Sequence, residues 1–286
     1  MEGTVINDRY KAVRELKPAR DGKIYWVVED QQKGKELKML KGIALFDEKQ
    51  EEEAKLEVDL LRRLDHPHVV KLLDDISFTA PNNQNYRGLI LEYLPGGDLS
   101  QFFQKKLENE GGENEEEWEE NDALGICAQI VLAMNYLHGE NIIHRDIKPE
   151  NILFFADEKE IKIADFNVSR VTEGTMSTGI AGSMEYIPPE SLQAQGNENA
   201  SFSLDIWAMG IFFQMLCTFR HPFATGNLFQ TINNIAQNLR NPAEVVFPAM
   251  ESLIQECLKI DLGERAANAA ALMNHRSIVS LHQILT

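Results

Sequence analysis

A short segment near the middle of the chain combines residue types that suit the transfer of a phosphoryl group. A carboxylate, an ammonium group and an amide occur together in His144-Arg145-Asp146-Ile147-Lys148-Pro149-Glu150-Asn151, and Asp165 follows after a strand-like run. A carboxylate can orient an acceptor hydroxyl, a lysine can neutralise a migrating phosphoryl group, and amide and carboxylate oxygens are ligands for Mg²⁺. Each residue alone would be an ordinary loop charge, but together they predict phosphoryl transfer.

The elements that must position these groups change in character along the chain. Residues 5 to about 93 show short apolar runs separated by Gly, Asn and Pro, which predict a meander of strands. One interruption, Glu51 to Leu64, has apolar residues at three- and four-residue spacing and predicts a helix. From Pro95 onward the pattern is mostly helical, with an amphipathic segment from Ala123 to His138 and an almost wholly apolar one from Ser203 to Thr218.

Composition limits the class of protein. With 286 residues, 43% of them hydrophobic, the chain can bury a substantial core. The formal net charge of −17 argues against nucleic acid and membrane as partners. No run of about 18 apolar residues predicts a membrane span, and the N-terminus does not resemble a signal peptide. Cys127, Cys217 and Cys257 lack metal-ligand spacing, so we expect reduced core thiols in an intracellular, cytoplasmic protein, with the nucleus also compatible.

The central segment, followed by Asp165-Phe166-Asn167, resembles the protein kinase superfamily, and the resemblance extends over nearly the whole chain. It implies a bilobal α+β fold that forms one kinase domain. Residues 1–93 would form a small antiparallel sheet with one helix that covers the nucleotide, and residues 94–286 a larger, mostly helical catalytic and substrate-binding lobe. The implied cofactors are ATP and Mg²⁺, and the implied partners are protein substrates. The sequence leaves the oligomeric state open.

The resemblance assigns roles to the residues of the central segment. Asp146 would be the catalytic base that orients the acceptor hydroxyl, and Lys148 would neutralise the migrating phosphoryl group. Asn151 and Asp165 would bind Mg²⁺ through oxygen atoms. Arg145 would contribute to a basic pocket for a phosphorylated activation segment.

A second set of implied roles concerns the nucleotide. Leu91-Glu92-Tyr93-Leu94-Pro95-Gly96-Gly97-Asp98 resembles the hinge of the family. Leu91 would be the gatekeeper, the backbones of Glu92 and Leu94 would meet adenine, and Asp98 would lie near the ribose. The further nucleotide contacts that the resemblance implies are Gly22, Ile24 and Leu153.

The lysine that contacts the α- and β-phosphates is the least determined of these residues. The resemblance places its glutamate partner at Glu57, and the separation along the chain favours Lys38. Lys41 is the competing choice. It would put Met39 beside adenine, whereas Lys38 would put the carboxylate of Glu36 there, which is unfavourable because the carboxylate would lose its water. We favour Lys38 on the spacing from the helix.

Two segments depart from the family pattern. The glycine-rich loop falls on Lys17-Pro18-Ala19-Arg20-Asp21-Gly22, where only Gly22 remains, and Pro18 has no N–H to offer a phosphate. Lys17 or Arg20 could bind phosphate instead. The second departure is Asn167 in place of glycine after Asp165-Phe166. Asn enters the left-handed region more readily than most residues, so we expect metal binding to persist.

The activation segment resembles the family at its end, Gly182 to Glu190, with Pro-Pro-Glu as its last three residues. Arg265 falls where the ion-pair partner of Glu190 lies in the family. Candidate phosphorylation sites before Gly182 are Ser177 and Thr178, of which we favour Thr178.

The resemblance implies activity on serine and threonine, because Lys148 and Ser183 match kinases of that type. The sequence resembles NIMA-related kinases most closely, although calmodulin-kinase relatives share many of the same features. Glu150 and Asp98 could favour basic substrates. The alternative function is a pseudokinase that binds nucleotide or acts as a scaffold, which the altered glycine loop and Asn167 would favour. A P-loop NTPase is excluded because its Gly-x-x-x-x-Gly-Lys-Ser/Thr motif is absent from the sequence.

Overall fold

A computed structural model describes residues 1–20, 22–108, 118–155, 159–171, 182–192, 201–240 and 247–279. The chain divides into two compact units, Met1–Pro95 and Gly96–Thr286, which we call the small unit and the large unit. The first is mostly strand and the second mostly helix, so the predicted α+β class is confirmed. The boundary lies two residues beyond the one predicted at 93/94.

The small unit is one antiparallel sheet of six strands in the order β1-β2-β3-β4-β6-β5, with a single helix in the connection from β4 to β5. Its elements are β1 (Val5–Ile6), β2 (Tyr10–Arg20), β3 (Lys23–Asp30), β4 (Glu36–Ala44), α1 (Glu48–Arg63), β5 (Leu72–Thr79) and β6 (Asn85–Glu92). Side chains alternate between the two sheet faces. One face carries an apolar cluster that includes Ile24, Trp26, Val28, Leu40 and Ile90.

Helix α1 begins three residues before the predicted start because Asp47 caps it. The Asp47 carboxylate accepts a hydrogen bond from the backbone N–H of Gln50 at 2.9 Å. Ala54, Glu57 and Val58 lie on the buried face of the helix. Near its C-terminal end, Arg62 binds Asp75 of β5, which also binds Arg87 of β6.

The large unit packs helices around the almost wholly buried α5. Its helices are α2 (Leu99–Glu108), α3 (Glu120–Gly139), α4 (Pro189–Leu192), α5 (Ser203–Thr218), α6 (Leu228–Gln237), α7 (Pro248–Cys257) and α8 (Ala269–Met273). Two short antiparallel sheets of two strands each are formed by β7 (Ile142–Ile143) with β10 (Arg170–Val171) and by β8 (Ile152–Phe154) with β9 (Ile161–Ile163). Two 3₁₀ turns, Pro149–Asn151 and Met184–Tyr186, lie beside them. Within the described ranges, no helix is both long enough and apolar enough to cross a bilayer.

Candidate active site

The loop that carries Asp146 is fixed by a single buried carboxylate. It follows β7, whose two isoleucines are fully buried. Asp205, at the start of α5 and itself fully buried, accepts the backbone N–H groups of His144 at 2.9 Å and Arg145 at 2.8 Å. His138 Nε2 lies 3.0 Å from the same carboxylate. Arg145 has a φ of 70°, a left-handed conformation that these contacts must hold in place.

The carboxylate of Asp146 is the centre of a dense group of donors. Its Oδ2 atom accepts from Asn151 Nδ2 at 2.8 Å and lies 2.7 Å from Lys148 Nζ. Its Oδ1 atom accepts from the backbone N–H and the hydroxyl of Ser183, each at 2.9 Å. Lys148 Nζ also donates to Ser183 Oγ at 2.7 Å. The structure therefore brings three of the predicted residues together, and adds the direct contact of Ser183 with Asp146.

These donors keep Asp146 ionised. Burial alone would raise its pKa, but the hydrogen bond and charge of Lys148, with the hydrogen bonds from Ser183 and Asn151, bring the pKa below the usual value of a carboxyl group. At neutral pH the residue is therefore a carboxylate. A carboxylate can orient a hydroxyl and accept its proton.

His144 connects the loop to the segment that carries Asp165. The backbone N–H of Asp146 donates to His144 Nδ1 at 3.3 Å, so Nε2 bears the proton and donates to the carbonyl of Ala164 at 3.2 Å. Burial lowers the pKa of His144, which favours this neutral form. Ala164 also donates its N–H to the carbonyl of Asn151 at 2.9 Å. The backbone before Asp165 is thus pinned beside both Asn151 and the loop of Asp146.

The left-handed residue of this segment is Asp165 and not Asn167. Asp165 has a φ of 64°, whereas Asn167 does not have a positive φ. Phe166 is buried, with its ring edge-on to His144 at 4.9 Å. The expectation that the third residue of the motif needs a left-handed conformation is therefore wrong for this structure. Replacing glycine by Asn167 costs nothing on that account, because asparagine takes an ordinary backbone conformation here.

The donor chemistry fits Mg²⁺ held together with a nucleotide. Both described hydrogen bonds of the Asn151 side chain use its amide nitrogen, which is the orientation that metal binding through the amide oxygen requires. Asp165 supplies a carboxylate on the adjacent segment. Among the described residues there is no cluster of three or more His, Cys, Asp or Glu side chains suited to a metal. Mg²⁺ is commonly bound by one or two protein oxygens and completed by substrate phosphates and water, and Asn151 and Asp165 can supply such oxygens.

In the small unit, the partner of Glu57 is Lys41. Lys41 Nζ lies 2.6 Å from Glu57 Oε1, and the two side chains are only 2% and 3% exposed. Lys38 instead pairs with Glu36 at 2.5 Å, and Glu36 is half exposed. The prediction that Lys38 is the lysine paired with Glu57 is therefore wrong. Lys38 and Lys41 are an odd number of positions apart on β4, so they point to opposite faces of the sheet.

The same alternation separates Ile24 from the ion pair. Ile24 is cross-strand to Gly42 and packs in the apolar cluster, on the face of Lys38. The cross-strand neighbours of Lys41 are Tyr25 and Leu89. On the face of Lys41, Met39 is in turn cross-strand to Leu91, the predicted gatekeeper. Ile24 and Lys41 therefore lie on opposite faces of the sheet and cannot both face one nucleotide. Leu91 lies on the same face as Lys41.

The glycine-poor loop is a hairpin in which β2 and β3 pair as far as Arg20 and Lys23. Gly22 has a φ of 72°, which is strained for other residues, and an added Cβ would lie 3.2 Å from the ring of Phe46. The one glycine that remains is therefore the one the turn requires. Lys17 Nζ lies 6.0 Å from the ring centroid of Tyr25.

The remaining predicted nucleotide contacts lie in both units. In the small unit, Leu94 is buried and the Glu92 carboxylate accepts the backbone N–H of Lys71 at 2.8 Å. In the large unit, Asp98 pairs with Leu153 through an isolated bridge. The carboxylate of Asp98 is buried and accepts the N–H of Gln101 at 3.0 Å in the first turn of α2. Its position near a ribose stays a prediction.

Comparison with known proteins decides the family. The protein kinase domain model matches residues 20–278. The chain belongs to the protein kinase family. This kinase is 33% identical over 239 residues to human serine/threonine-protein kinase Nek11, covering 82% of the chain and 35% of the relative. It is 29% identical over 269 residues to mouse Nek5, covering 93% and 40%, and 32% identical over 233 residues to myosin light chain kinase A of Dictyostelium discoideum, covering 79% and 72%.

The predicted likeness to NIMA-related kinases is confirmed by the Nek relatives. The chain spans little more than a third of the length of the Nek11 relatives that it matches.

The predicted structural ion pair of this kinase is present. Arg265 binds Glu190 through two hydrogen bonds, at 2.6 and 3.0 Å. The guanidinium is fully buried, lies 4.9 Å from the centroid of the Trp207 ring and donates to the carbonyl of Lys259 at 2.8 Å.

Arg145 is described in the loop that carries Asp146, whereas Ser177 and Thr178 lie outside the described residues.

Removing the pair of Arg265 and Glu190 should destabilise the large unit. We expect Arg265→Ala to lower the free energy of unfolding by about 3 kcal/mol, because Glu190 would keep a partly buried charge without its partner. Urea unfolding followed by tryptophan fluorescence measures the loss. The control is Lys259→Ala, which removes an exposed lysine 3.9 Å from Glu264 and should cost less than about 1 kcal/mol. Equal losses in the two variants would contradict the prediction.

Proposed function

We propose that this chain is a serine/threonine protein kinase that transfers the γ-phosphate of ATP to hydroxyl groups of proteins. The observation that carries the proposal is the Asp146 carboxylate, which is ionised and held by Lys148, Asn151 and Ser183. An isolated loop aspartate would not need three such partners. Membership in the protein kinase family and the serine/threonine kinases among its relatives support the same activity.

The large unit supplies the groups for the acceptor and the metal. Asp146 orients the acceptor hydroxyl and accepts its proton as the phosphoryl group is transferred. Lys148 places a positive charge beside the same carboxylate, where negative charge on the transferred group must be balanced. Asn151 and Asp165 would hold Mg²⁺, which when bound would neutralise phosphate charge.

The small unit supplies the cation for the phosphates that are not transferred. Lys41 takes the role assigned at first to Lys38, because Glu57 holds its ammonium group in a fixed, buried position. Positioning of a lysine by a carboxylate is the arrangement that phosphoryl transfer requires of this group. Leu91 is proposed as the gatekeeper. It is cross-strand to Met39 and so lies on the same face of the sheet as Lys41.

The assignment to serine and threonine is supported by Ser183. Its hydroxyl contacts both Asp146 and Lys148, so it ties the segment that meets the substrate directly to the base. Lys148 and Ser183 are the two residues that match kinases acting on serine and threonine, and their direct contact with each other and with Asp146 supports that assignment.

The test is transfer of labelled γ-phosphate from Mg-ATP to dephosphorylated casein or histone, followed by phosphoamino acid analysis. We expect label on serine and threonine and none on tyrosine, and we expect EDTA to abolish transfer because the metal ligands would then have no ion to hold. Nucleotide binding without transfer in Mg²⁺ would overturn the proposal and support the pseudokinase alternative.

We also propose that the substrates are basic around the acceptor. The net charge of −17 favours basic partners by electrostatic steering. Glu150 is exposed on the 3₁₀ turn next to Lys148, whereas Asp98 is buried and caps α2. The preference therefore rests on Glu150 and no longer on Asp98.

A positional peptide array should show this preference directly. We expect up to about fivefold better labelling when arginine precedes the acceptor, because one exposed charge pair in a bound peptide contributes at most about 1 kcal/mol. Glu150→Gln should remove the preference and leave peptides without basic residues unaffected. An array that is indifferent to arginine at every upstream position would contradict the proposal.

The three cysteines support an intracellular location for this protein. Cys127, Cys217 and Cys257 are all buried and unpaired, and burial raises the pKa of each thiol, which makes them unreactive. Buried free thiols suit a reducing compartment, and we propose the cytoplasm.

A further inference from the structure

Residues 182–187, in the last part of the activation segment, are held by hydrogen bonds to other parts of the large unit. At their start, Ser183 is bound by Asp146 and Lys148. Two residues later, the carbonyl oxygen of Glu185 lies 3.0 Å from His221 Nε2. We call residues 182–187 the acceptor loop. Its first anchor belongs to the catalytic machinery, whereas the second comes from the connection between α5 and α6.

The hydrogen bonds of His221 determine which of its nitrogens carries the proton. The backbone N–H of Phe223 lies 3.2 Å from His221 Nδ1 and can only donate, so Nδ1 is an acceptor. Nε2 therefore bears the proton and donates it to Glu185. Burial lowers the pKa of His221 to about 4, so the ring is neutral at physiological pH. The neutral ring makes one bond within its own turn and one bond to the acceptor loop.

The surroundings of His221 are aromatic. The ring of Tyr186 meets it edge-on at 5.1 Å, and the ring of Phe223 lies at 6.2 Å. An apolar side chain would fill such a place without the cost of burying a polar ring, which must be offset by hydrogen bonds. On the acceptor loop, the side chains of Met184 and Glu185 are exposed while the backbone of Glu185 is bound by His221. The loop is thus fixed by its backbone and presents side chains outward.

We propose that His221 is a positioning residue for protein substrates, acting by holding the Glu185 carbonyl and with it the acceptor loop in the orientation that receives the peptide. The inference rests on the proposed kinase function. The chain of contacts runs from His221 to Glu185, through the 3₁₀ turn Met184–Tyr186, to Ser183 and the base Asp146. Loss of the bond from His221 releases the Glu185 carbonyl and leaves the contacts of Ser183 in place. Binding of the peptide is therefore affected, and binding of ATP is not.

Two amide variants separate the bonds of His221. In His221→Asn, the amide oxygen can replace Nδ1 and keep the bond to Phe223, but the bond to Glu185 is lost. In His221→Gln, the amide nitrogen can replace Nε2 and keep the bond to Glu185. We expect His221→Asn to raise KM for a serine peptide about fivefold, the effect of one lost hydrogen bond. His221→Gln should stay within about twofold of the wild type, with KM for ATP unchanged in both.

Hydrogen–deuterium exchange of the folded chain without substrate gives a second readout. Amides in the acceptor loop should exchange faster in His221→Asn than in His221→Gln and the wild type. Equal exchange and equal peptide KM in the two variants would overturn the role of His221. If the wild type transfers no phosphate, the kinase proposal fails by itself, and the exchange comparison still decides whether His221 holds the loop.

Discussion

Asp146→Asn should lower kcat for phosphate transfer about 10³-fold, with KM for ATP changed by less than about threefold. The carboxylate is the proposed proton acceptor, and such groups contribute about 10²- to 10⁴-fold to a rate. An amide cannot accept the proton at neutral pH. In either orientation its NH₂ group would also face a nitrogen donor: Lys148 Nζ and Asn151 Nδ2, now 2.7 and 2.8 Å from Oδ2, or the backbone N–H of Ser183, now 2.9 Å from Oδ1. Steady-state kinetics with casein measure the change.

The matched control is Asp65→Asn, the same chemical change at a side chain that is 82% exposed and pairs with the exposed Lys71. It should leave kcat within about twofold of the wild type, because exposed ion pairs contribute little. If Asp146→Asn retained more than a tenth of the wild-type kcat, Asp146 would not be the base.

Replacing Lys41 and Lys38 in turn by methionine should give opposite outcomes. Lys41→Met removes the proposed phosphate cation, and the loss of one charge-assisted hydrogen bond corresponds to roughly 10- to 100-fold in kcat/KM. It also leaves Glu57 buried without its partner, which should cost about 3–5 kcal/mol of stability. Lys38→Met removes a pair with the half-exposed Glu36 and should change both quantities little.

A double variant separates folding from chemistry. Lys41→Met combined with Glu57→Leu removes both buried charges, so we expect its stability to recover most of the way to the wild type. Activity should stay low, because the ammonium group proposed for the phosphates that are not transferred would still be missing. Kinetics and urea unfolding of the same preparations measure both effects. Full activity in Lys41→Met, or inactivity in Lys38→Met, would restore the original choice of lysine.

The two lysines also show where prediction from sequence reached its limit. The sequence sufficed to find Asp146, Lys148 and Asn151, because they lie in one short segment and their spacing does not depend on contacts with distant parts of the chain. The lysine that pairs with Glu57 lies on β4, whereas Glu57 lies on α1. Its position could not be obtained by counting residues, because the length of the connection between β4 and α1, here residues 45–47, was unknown. The desolvation argument against Glu36 beside adenine favoured Lys41. It proved a better guide than the spacing.

Other parts of the site could not be predicted because they depend on distant contacts. Nothing near Asp205 in the sequence shows that its carboxylate binds the backbone of residues 144 and 145, although an aspartate at the start of an apolar helix signals a buried acceptor. His221 likewise meets Glu185 only after folding. The strand meander and the helices of the large unit were predictable, since each follows from local periodicity.

The contacts of Asp205 affect how this protein unfolds on heating. Asp205 lies in the first turn of α5, and its carboxylate contacts both His138 of α3 and the backbone of the loop that carries Asp146. The loop should therefore unfold together with these two helices. Loss of the geometry around Asp146 and collapse of the helical core should therefore form one cooperative transition of the large unit. Tolerance to heat in this kinase is then set by its core and not by its catalytic loop.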